Sequence, residues 1–251
     1  MTDSDTTATA IVEARGVVKR FGGRAVVADL DLDVAKGECL GLLGPNGAGK
    51  TTFCDLVSGK TPVTTGKVFY DGDEITHVQE VDIARRGIGR KFQTPTVFDS
   101  LTTFENLELS LPGRQGLWSN LLRATTAAET ERIEALLERV RLTEVRDTEA
   151  SQLSHGQRQW LAISALILTE PKLLLVDEPA AGLTDAETAL TAELLLELRA
   201  DHTLIVIEHD MDFVRQLDSF VTVLNEGIIL AEGTLQELQA NPEVIEAYLG
   251  R

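Results

Sequence analysis

At 251 residues the chain is long enough for one large α/β domain, or for one domain carrying a small inserted lobe. Hydrophobic residues at 43% and charged residues at 25% are ordinary globular proportions, with apolar side chains enough for a core. A formal net charge of −17 weighs against a nucleic-acid partner, whose binding surface needs a basic patch, and against adsorption by charge to an anionic membrane face.

Residues 1–10 read as a disordered polar tail, with acids where a signal peptide carries basic residues and no apolar stretch behind them. From Ile11 to Val34 the pattern predicts two β-branched strands around the turn Phe21-Gly22-Gly23-Arg24. Glu38 to Leu43 is a short apolar strand, a glycine-rich loop follows directly, and Thr51 to Ser58 reads as a helix stopped near Gly59. Lys67 to Tyr70 predicts a strand entering the turn Asp71-Gly72-Asp73. From about Phe98 to Ala165 helical periodicity takes over. Its clearest stretch, Thr126 to Leu142, sets Ile133, Leu136, Leu137 and Val140 on one face. Arg132, Arg139 and Arg141, interleaved with the acids of Glu129 to Glu144, predict a solvated opposite face. These features predict a helical lobe over 94–165, inserted into an α/β core made of 11–93 and 166–251. Leu173 to Val176 and Leu204 to Ile207 are fully apolar, as expected for parallel strands covered on both faces, and a helix from Asp185 to Arg199 separates them. The remainder alternates strands at Phe220 to Leu224 and Gly227 to Ala231 with helices near Thr234 to Ala240 and Pro242 to Leu249. No apolar run approaches the roughly 20 residues of a membrane span. Cys39 and Cys54 are too few for a disulfide framework and read as small core residues of a protein in a reducing cytosol. His77 and His202 read as surface loop residues with no ligand cluster around them.

Gly44-Pro45-Asn46-Gly47-Ala48-Gly49-Lys50-Thr51 fits the pattern G-x-x-x-x-G-K-S/T, and it lies between a predicted strand and a predicted helix, as that pattern requires. Such a loop turns its backbone N–H groups toward phosphate oxygens, and the helix N-terminus adds partial positive charge. Lys50 is then expected to reach the β- and γ-phosphates and the Thr51 hydroxyl to ligate Mg²⁺, with Thr52 completing the nucleotide-binding run. The strand from Leu173 runs into Asp177-Glu178, which puts two acids at the sheet edge where ligands bind. Asp177 is expected to hold Mg²⁺ through water, and Glu178 to orient and deprotonate the attacking water. Leu153-Ser154-His155-Gly156-Gln157 opens a helix with Ser154 as its N-cap. That pentapeptide is open to two readings, a plain capped helix or a second phosphate cradle that closes over a nucleotide held by another subunit.

The phosphate loop, the LSHGQ pentapeptide and the LLLVDE strand stand in the order and spacing of an ATP-binding-cassette (ABC) ATPase, and the chain resembles that family from about Ile11 to Arg251. The resemblance implies a P-loop NTPase of ABC type: a mostly parallel sheet core, an antiparallel β subdomain and an inserted helical lobe. It implies ATP and Mg²⁺ as cofactors and two cassettes sandwiching two ATP molecules. Each phosphate loop then faces the other cassette's pentapeptide, whose nucleotide contacts correspond to Ser154, Gly156 and Gln157 here. Phe21 resembles the aromatic that stacks on adenine, although by itself it reads equally as a hairpin core residue. Gln93, in Arg90-Lys91-Phe92-Gln93, resembles the loop glutamine that touches Mg²⁺ and the attacking water; alone it is a polar loop residue. His209 resembles the switch histidine that senses the γ-phosphate, and alone would be a satisfied structural group. Asp185, in Gly182-Leu183-Thr184-Asp185, resembles the aspartate of the loop that crosses the dimer interface, with flanking residues that differ from the common pattern. The chain departs from the family at His155, where the common signature has glycine, and at Trp160 and Ala165, where many relatives carry arginine.

The segments LSHGQRQW, GRKFQTPTVFDSLTTFENLEL, VDEPAAGLTDAET, VIEHDMDFVR and VIEAYLGR together resemble an ATP-binding subunit of urea importers, a branch of the branched-chain amino acid transporter group. This resemblance implies a cytoplasmic ATPase, peripheral on the inner face of the cell membrane, that drives separate membrane-spanning permease subunits. A second ATPase subunit, in a hetero- or homodimer, and indirectly a solute-binding protein complete the expected partners. The alternative solute is a branched-chain amino acid or short amide, since the cassette itself never touches what is carried. A cassette acting on chromosomes, DNA repair or ribosomes is disfavoured by the acidic charge and by the short separation of phosphate loop and signature, which leaves no room for a long coiled coil. A regulatory module without turnover would lack a catalytic residue, whereas Lys50, Asp177, Glu178 and His209 are all present.

Overall fold

The computed structural model describes residues 9–91, 97–112 and 125–249. Strands β1 (Ala10–Phe21) and β2 (Arg24–Ala35) form the hairpin expected around Gly22-Gly23. After β3 (Cys39–Leu43) and helix α1 (Lys50–Val57), β4 (Thr65–Tyr70) pairs with the other edge of β1 and the two-residue β5 (Asp73–Glu74) pairs with β4. The result is an antiparallel sheet in the order β2-β1-β4-β5. The second sheet is built from β3, β6 (Ile88–Lys91), β7 (Leu173–Asp177), β8 (Thr203–Ile207), β9 (Phe220–Asn225) and β10 (Ile228–Thr234), in the order β10-β9-β3-β8-β7-β6. Every neighbouring pair in it is parallel except β9 and β10.

The central strands are buried on both faces, so their alternate side chains enter two different cores. Leu40, Leu42, Leu173, Leu175, Ile205 and Ile207 join the hydrophobic cluster that includes α1 and the antiparallel sheet. Their neighbours Leu174, Val176, Leu204 and Val206 join a cluster with the helical lobe and with α6 (Asp185–Leu198). The lobe consists of α3 (Thr103–Leu109), α4 (Ala127–Arg139) and α5 (His155–Ile167), and it shares that second core with the sheet. A third cluster, around Leu43, Val214, Val221 and Val223, packs α7 (Met211–Leu217), α8 (Leu235–Gln239) and α9 (Pro242–Leu249) against β9 and β10.

Local chemistry sets the helix boundaries. Thr102, Thr126, Ser154, Thr184 and Thr234 each accept from the N3 backbone N–H while the N3 Glu or Gln reaches back, a reciprocal cap that starts α3, α4, α5, α6 and α8. Helix α4 ends at Arg139, short of the expected Leu142, because Arg141 takes a left-handed turn at φ 59°. The expected tail likewise reached one residue too far, since Ala10 already belongs to β1. Six elements in the described residues went unpredicted: β5, α2 (Glu80–Arg85), β6, α7 and the 3-10 turns Thr143–Val145 and Ala150–Gln152. Each is short, from two to seven residues, and too brief for its periodicity to register. The charged face of α4 is exposed or half-buried as expected, and its arginines form surface pairs there: Arg139 donates to the Glu197 carbonyl at 2.9 Å, Arg141, just past the helix end, pairs with Glu193 at 2.8 Å, and Arg132 pairs with Glu170 at 2.8 Å. Both cysteines are buried as expected, and burial pushes the thiols up to about 11 for Cys39 and about 12 for Cys54. His77 is exposed, and a His202 ring nitrogen lies 2.6 Å from the Pro171 carbonyl, consistent with structural roles.

Leu137 on α4 is fully buried where the lobe meets the sheet core. Leu137→Ala should lower unfolding stability by about 2–5 kcal/mol, measured by urea titration of the purified chain. A loss below about 1 kcal/mol would mean that α4 does not pack there.

Candidate nucleotide site

The three central strands end side by side. The phosphate loop leaves β3, Glu178 follows β7 and His209 follows β8, so the loops that carry chemistry are gathered at one sheet edge by hydrogen-bond register alone. Gly44 has φ 151°, and a Cβ there would lie 2.2 Å from the Leu224 carbonyl oxygen; no other residue fits. Gly49, at φ 106°, would drive a Cβ to 2.6 Å from the Val26 carbonyl oxygen. Gly49 is also the N-cap of α1 and supplies no side-chain cap, which leaves the first-turn N–H groups of α1 to a ligand.

An open cleft of about 500 Å³ lies over this loop, lined by Asn46, Gly47, Ala48, Gly49, Lys50, Thr51, Thr52, Glu178 and His209, with Val26 from β2. Lys50 is buried and folds back, its Nζ donating to the carbonyls of Gly44 at 2.6 Å and Pro45 at 3.1 Å. Burial lowers its pKa, opposed by the negative charges of Glu178, Asp177 and Glu208. A cation held by weak neutral acceptors among three acids can exchange those carbonyls for phosphate oxygens, which are charged and bind it more strongly.

Glu178 is one of the non-glycine residues with positive φ, at 46°. Its N–H donates to the Ile207 carbonyl at 2.9 Å, fixing it to β8. The exposed His209 ring sits between two acids, its Nδ1 3.9 Å from Glu178 Oε1 and 3.7 Å from Glu208 Oε2. Asp177 closes β7 and is 3% exposed. Arg90 approaches it: its guanidinium lies 3.9 Å from Asp177 and 2.5 Å from Asp55 of α1, and donates to Ser58 Oγ at 3.0 Å. Gln93, expected to join the metal and the water, lies outside the described residues.

Two residues escaped the sequence reading. Arg90 has no role in the sequence analysis beyond the run that leads to Gln93, and Glu208 has none there. Glu208 is 1% exposed and accepts from three backbone N–H groups, those of Ala180 at 3.0 Å, His209 at 3.1 Å and Asp210 at 3.5 Å. Burial raises its pKa, partly offset by those three donors. The available signal was positional: Glu178 and Glu208 both directly follow apolar strands that pair in parallel.

Several expected residues are placed away from this cleft. Ser154 caps α5 and donates its hydroxyl to Glu187 Oε1 at 3.2 Å, Gln157 completes the cap, and a Cβ on Gly156 would meet Glu187 at 2.4 Å. His155 bridges to the Ala181 carbonyl at 3.2 Å, and its ring lies over Gly182. Asp185 is exposed at the first position of α6, beside the cap Thr184. These residues are absent from the lining of the cleft, a placement that suits both the capped-helix reading of the pentapeptide and the reading with a second subunit. Phe21 is exposed at the end of β1, with the Lys19 ammonium 4.8 Å from its ring centre, and also stands outside the lining. Trp160 is buried and donates Nε1–H to Thr191 Oγ1 at 2.9 Å.

No cluster of three or more His, Cys, Asp or Glu side chains that could hold a metal ion occurs among the described residues. The Thr51 hydroxyl and Asp177 carboxylate are hard oxygen donors near a phosphate loop, a set that suits Mg²⁺ carried largely by water and phosphate rather than an all-protein cage.

Residues 27–181 match the family model described as ABC transporter, and residues 229–251 match that described as branched-chain amino acid ATP-binding cassette transporter. The high-affinity branched-chain amino acid transport ATP-binding protein BraF of Pseudomonas aeruginosa is 38% identical over 251 residues, covering 96% of this chain and 98% of that protein. Its counterpart named LivG in Escherichia coli K12 is 36% identical over 249 residues, with the same coverage. Among solved structures, a nucleotide-free ATP-binding cassette from an ABC transporter superposes with a TM-score of 0.85 at 29% identity, covering 97% of this chain and 100% of that one. A cassette in its ADP conformation gives a TM-score of 0.84 at 30% identity.

Lys50→Ala removes the cation while leaving the loop's glycines in place. It should weaken ATP binding by about 10- to 100-fold, the value of a charge-assisted hydrogen bond, in an equilibrium titration. Unchanged affinity would overturn the phosphate-loop assignment.

Proposed function

The chain belongs to the ABC transporter family as the ATP-binding subunit of an importer, and from that premise we propose that the solute its transporter carries is a branched-chain amino acid or short amide. The observation that carries the solute class is the match of residues 229–251, which span most of β10 together with α8 and α9, to the branched-chain amino acid cassette model. The relatives described above bear names of the same class. The urea branch, the first expectation from the sequence, therefore gives way to its alternative. It stays as a second reading on one observation, the signature LSHGQRQW with His155 in place of glycine.

In the proposed cycle, ATP phosphates enter the cleft and draw Lys50 away from the Gly44 and Pro45 carbonyls. The first-turn amides of α1 hold the phosphate oxygens. Glu178 orients water and takes its proton as the water oxygen bonds to the γ-phosphorus and the bond to the β,γ-bridging oxygen breaks. His209, which lines the cleft beside Glu178, contacts the γ-phosphate. Mg²⁺, when bound, supplies charge neutralisation on the phosphates; Thr51, Asp177 and Gln93 are the residues that would hold it.

The signature residues Ser154, Gly156 and Gln157 are the contribution to a second cassette's nucleotide, so the active unit is a dimer, homo- or heteromeric. No helix among the described residues is long and apolar enough to cross a membrane. On the names of the relatives, which are transport ATP-binding proteins, we assign the transport path to separate permease subunits on the membrane, with the cassette on its inner face. A solute-binding protein delivers the solute to those subunits.

Glu178→Gln should keep MgATP binding and lower turnover of the assembled transporter by about 10²-fold or more, leaving a long-lived closed dimer on size-exclusion chromatography. Retained steady-state hydrolysis would remove Glu178 from the role of base. The solute is tested by uptake of labelled leucine and labelled urea, at micromolar concentration, in the source strain carrying wild type or Glu178→Gln. Loss of leucine uptake alone supports the amino acid reading. Loss of urea uptake alone moves the protein to the urea branch.

A further inference from the structure

The left-handed backbone of Glu178, at φ 46°, is costly for a residue with a Cβ and persists only where neighbours hold it. Two bonds flank it. The Glu178 N–H is held by the Ile207 carbonyl at 2.9 Å, and two residues later the Ala180 N–H is held by Glu208 Oε1 at 3.0 Å. The other oxygen of Glu208 accepts from the His209 N–H at 3.1 Å. The two oxygens of one buried carboxylate thus tie together the loop after β7, which carries Glu178, and the loop after β8, which carries His209. Glu208 is buried and does not line the cleft. A buried carboxylate is expensive, and the hydrogen bonds that Glu208 accepts here come from the backbones of two loops, with the His209 ring nitrogen 3.7 Å from Oε2.

We propose that Glu208 is a positioning residue for ATP hydrolysis: its carboxylate clamps Ala180 and His209 together, and so holds Glu178 and His209 in register for the attacking water. This rests on the reading of Glu178 as the base. A carboxylate is required because both oxygens must accept. Glutamine, of the same shape, accepts through one oxygen and points an N–H₂ at the other backbone donor, so one of the two loops is released.

The test compares wild type, Glu208→Gln and Glu178→Gln in the assembled transporter, reading kcat, KM for MgATP, equilibrium binding of a non-hydrolysable ATP analogue and the thermal midpoint. We expect Glu208→Gln to lower kcat tenfold or more, with analogue affinity within twofold of wild type. A kcat within twofold of wild type, or an equal loss of nucleotide binding, would overturn the clamp. If Glu178→Gln itself turns over normally, the failure belongs to the base assignment and not to the clamp. Amide hydrogen exchange in the unmodified full chain tests the geometry without any substitution. The Ala180 and His209 amides should exchange at least tenfold more slowly than the exposed Gly182 amide, and exchange of either at the Gly182 rate would also overturn the proposal.

Discussion

The site depends on strands β3, β7 and β8 being covered on both faces. Sheet positions that alternate into two hydrophobic cores leave no room for polar side chains along the strands, so each polar group is pushed to the point where the strand leaves the sheet. Parallel pairing brings those exits to one edge, and register then sets what meets what: Asp177 pairs with Ile207, and Leu42 pairs with the same Ile207 from the other side. Glu178, Glu208 and the phosphate loop are therefore neighbours before any of them makes a specific contact. The apolar strands act as a jig, and the chemistry sits on their ends.

Charge accumulates at that edge, and the molecule balances it with few cations. Lys50 sits under the influence of Glu178, Asp177 and Glu208, while Arg90 stands between Asp55 and Asp177. Arg90 comes from β6, Asp55 from α1 and Asp177 from β7. One guanidinium thus links the helix that follows the phosphate loop, the strand that ends in the acids and the strand that leads toward Gln93. Such a buried group adds little net stability, but removal of one partner leaves a buried charge unsatisfied. Its value lies in fixing the relative placement of three elements, α1, β6 and β7.

Most of this fold was legible in the sequence, and the misses share a cause. The long hairpin, the apolar strands and the 3.6-residue period of α4 all carry a signal summed over many residues, so they were placed within a few residues of their true ends. Strand β6, Ile-Gly-Arg-Lys, was unreadable because half of its residues are cationic and its burial depends on Asp55 and Asp177, which lie far away in sequence. The phosphate loop and the acid pair were legible because their spacing is local. Glu208 was not, since its importance comes from the loop after β7, which only the pairing of β7 with β8 brings alongside. The bridging of α4 by Arg139 and Arg141 was hidden for the same reason, its partners being on α6.

The departure at His155 gains a physical meaning from the way α5 meets the segment after Glu178. The first two turns of α5 are joined to residues 179–191 along their length: His155 to the Ala181 carbonyl, Ser154 to Glu187, Gln159 Nε2 to the Pro179 carbonyl at 3.0 Å, and Trp160 to Thr191. Gly156 is pressed so closely on Glu187 that a Cβ would collide, and a Cβ on Gly182, at φ 73°, would lie 3.4 Å from the His155 ring. A glycine at position 155 would leave the Ala181 carbonyl without this partner and give the chain more conformational freedom just before the cap is complete. Histidine stiffens the start of the signature and ties it to the loop that leads away from Glu178. Trp160 continues the same seam with an indole N–H bonded to Thr191 of α6 and a large buried surface. His155 ties the start of α5 to the loop after Glu178 and Trp160 ties it to α6, so one run of contacts joins α5 to the backbone that carries Glu178.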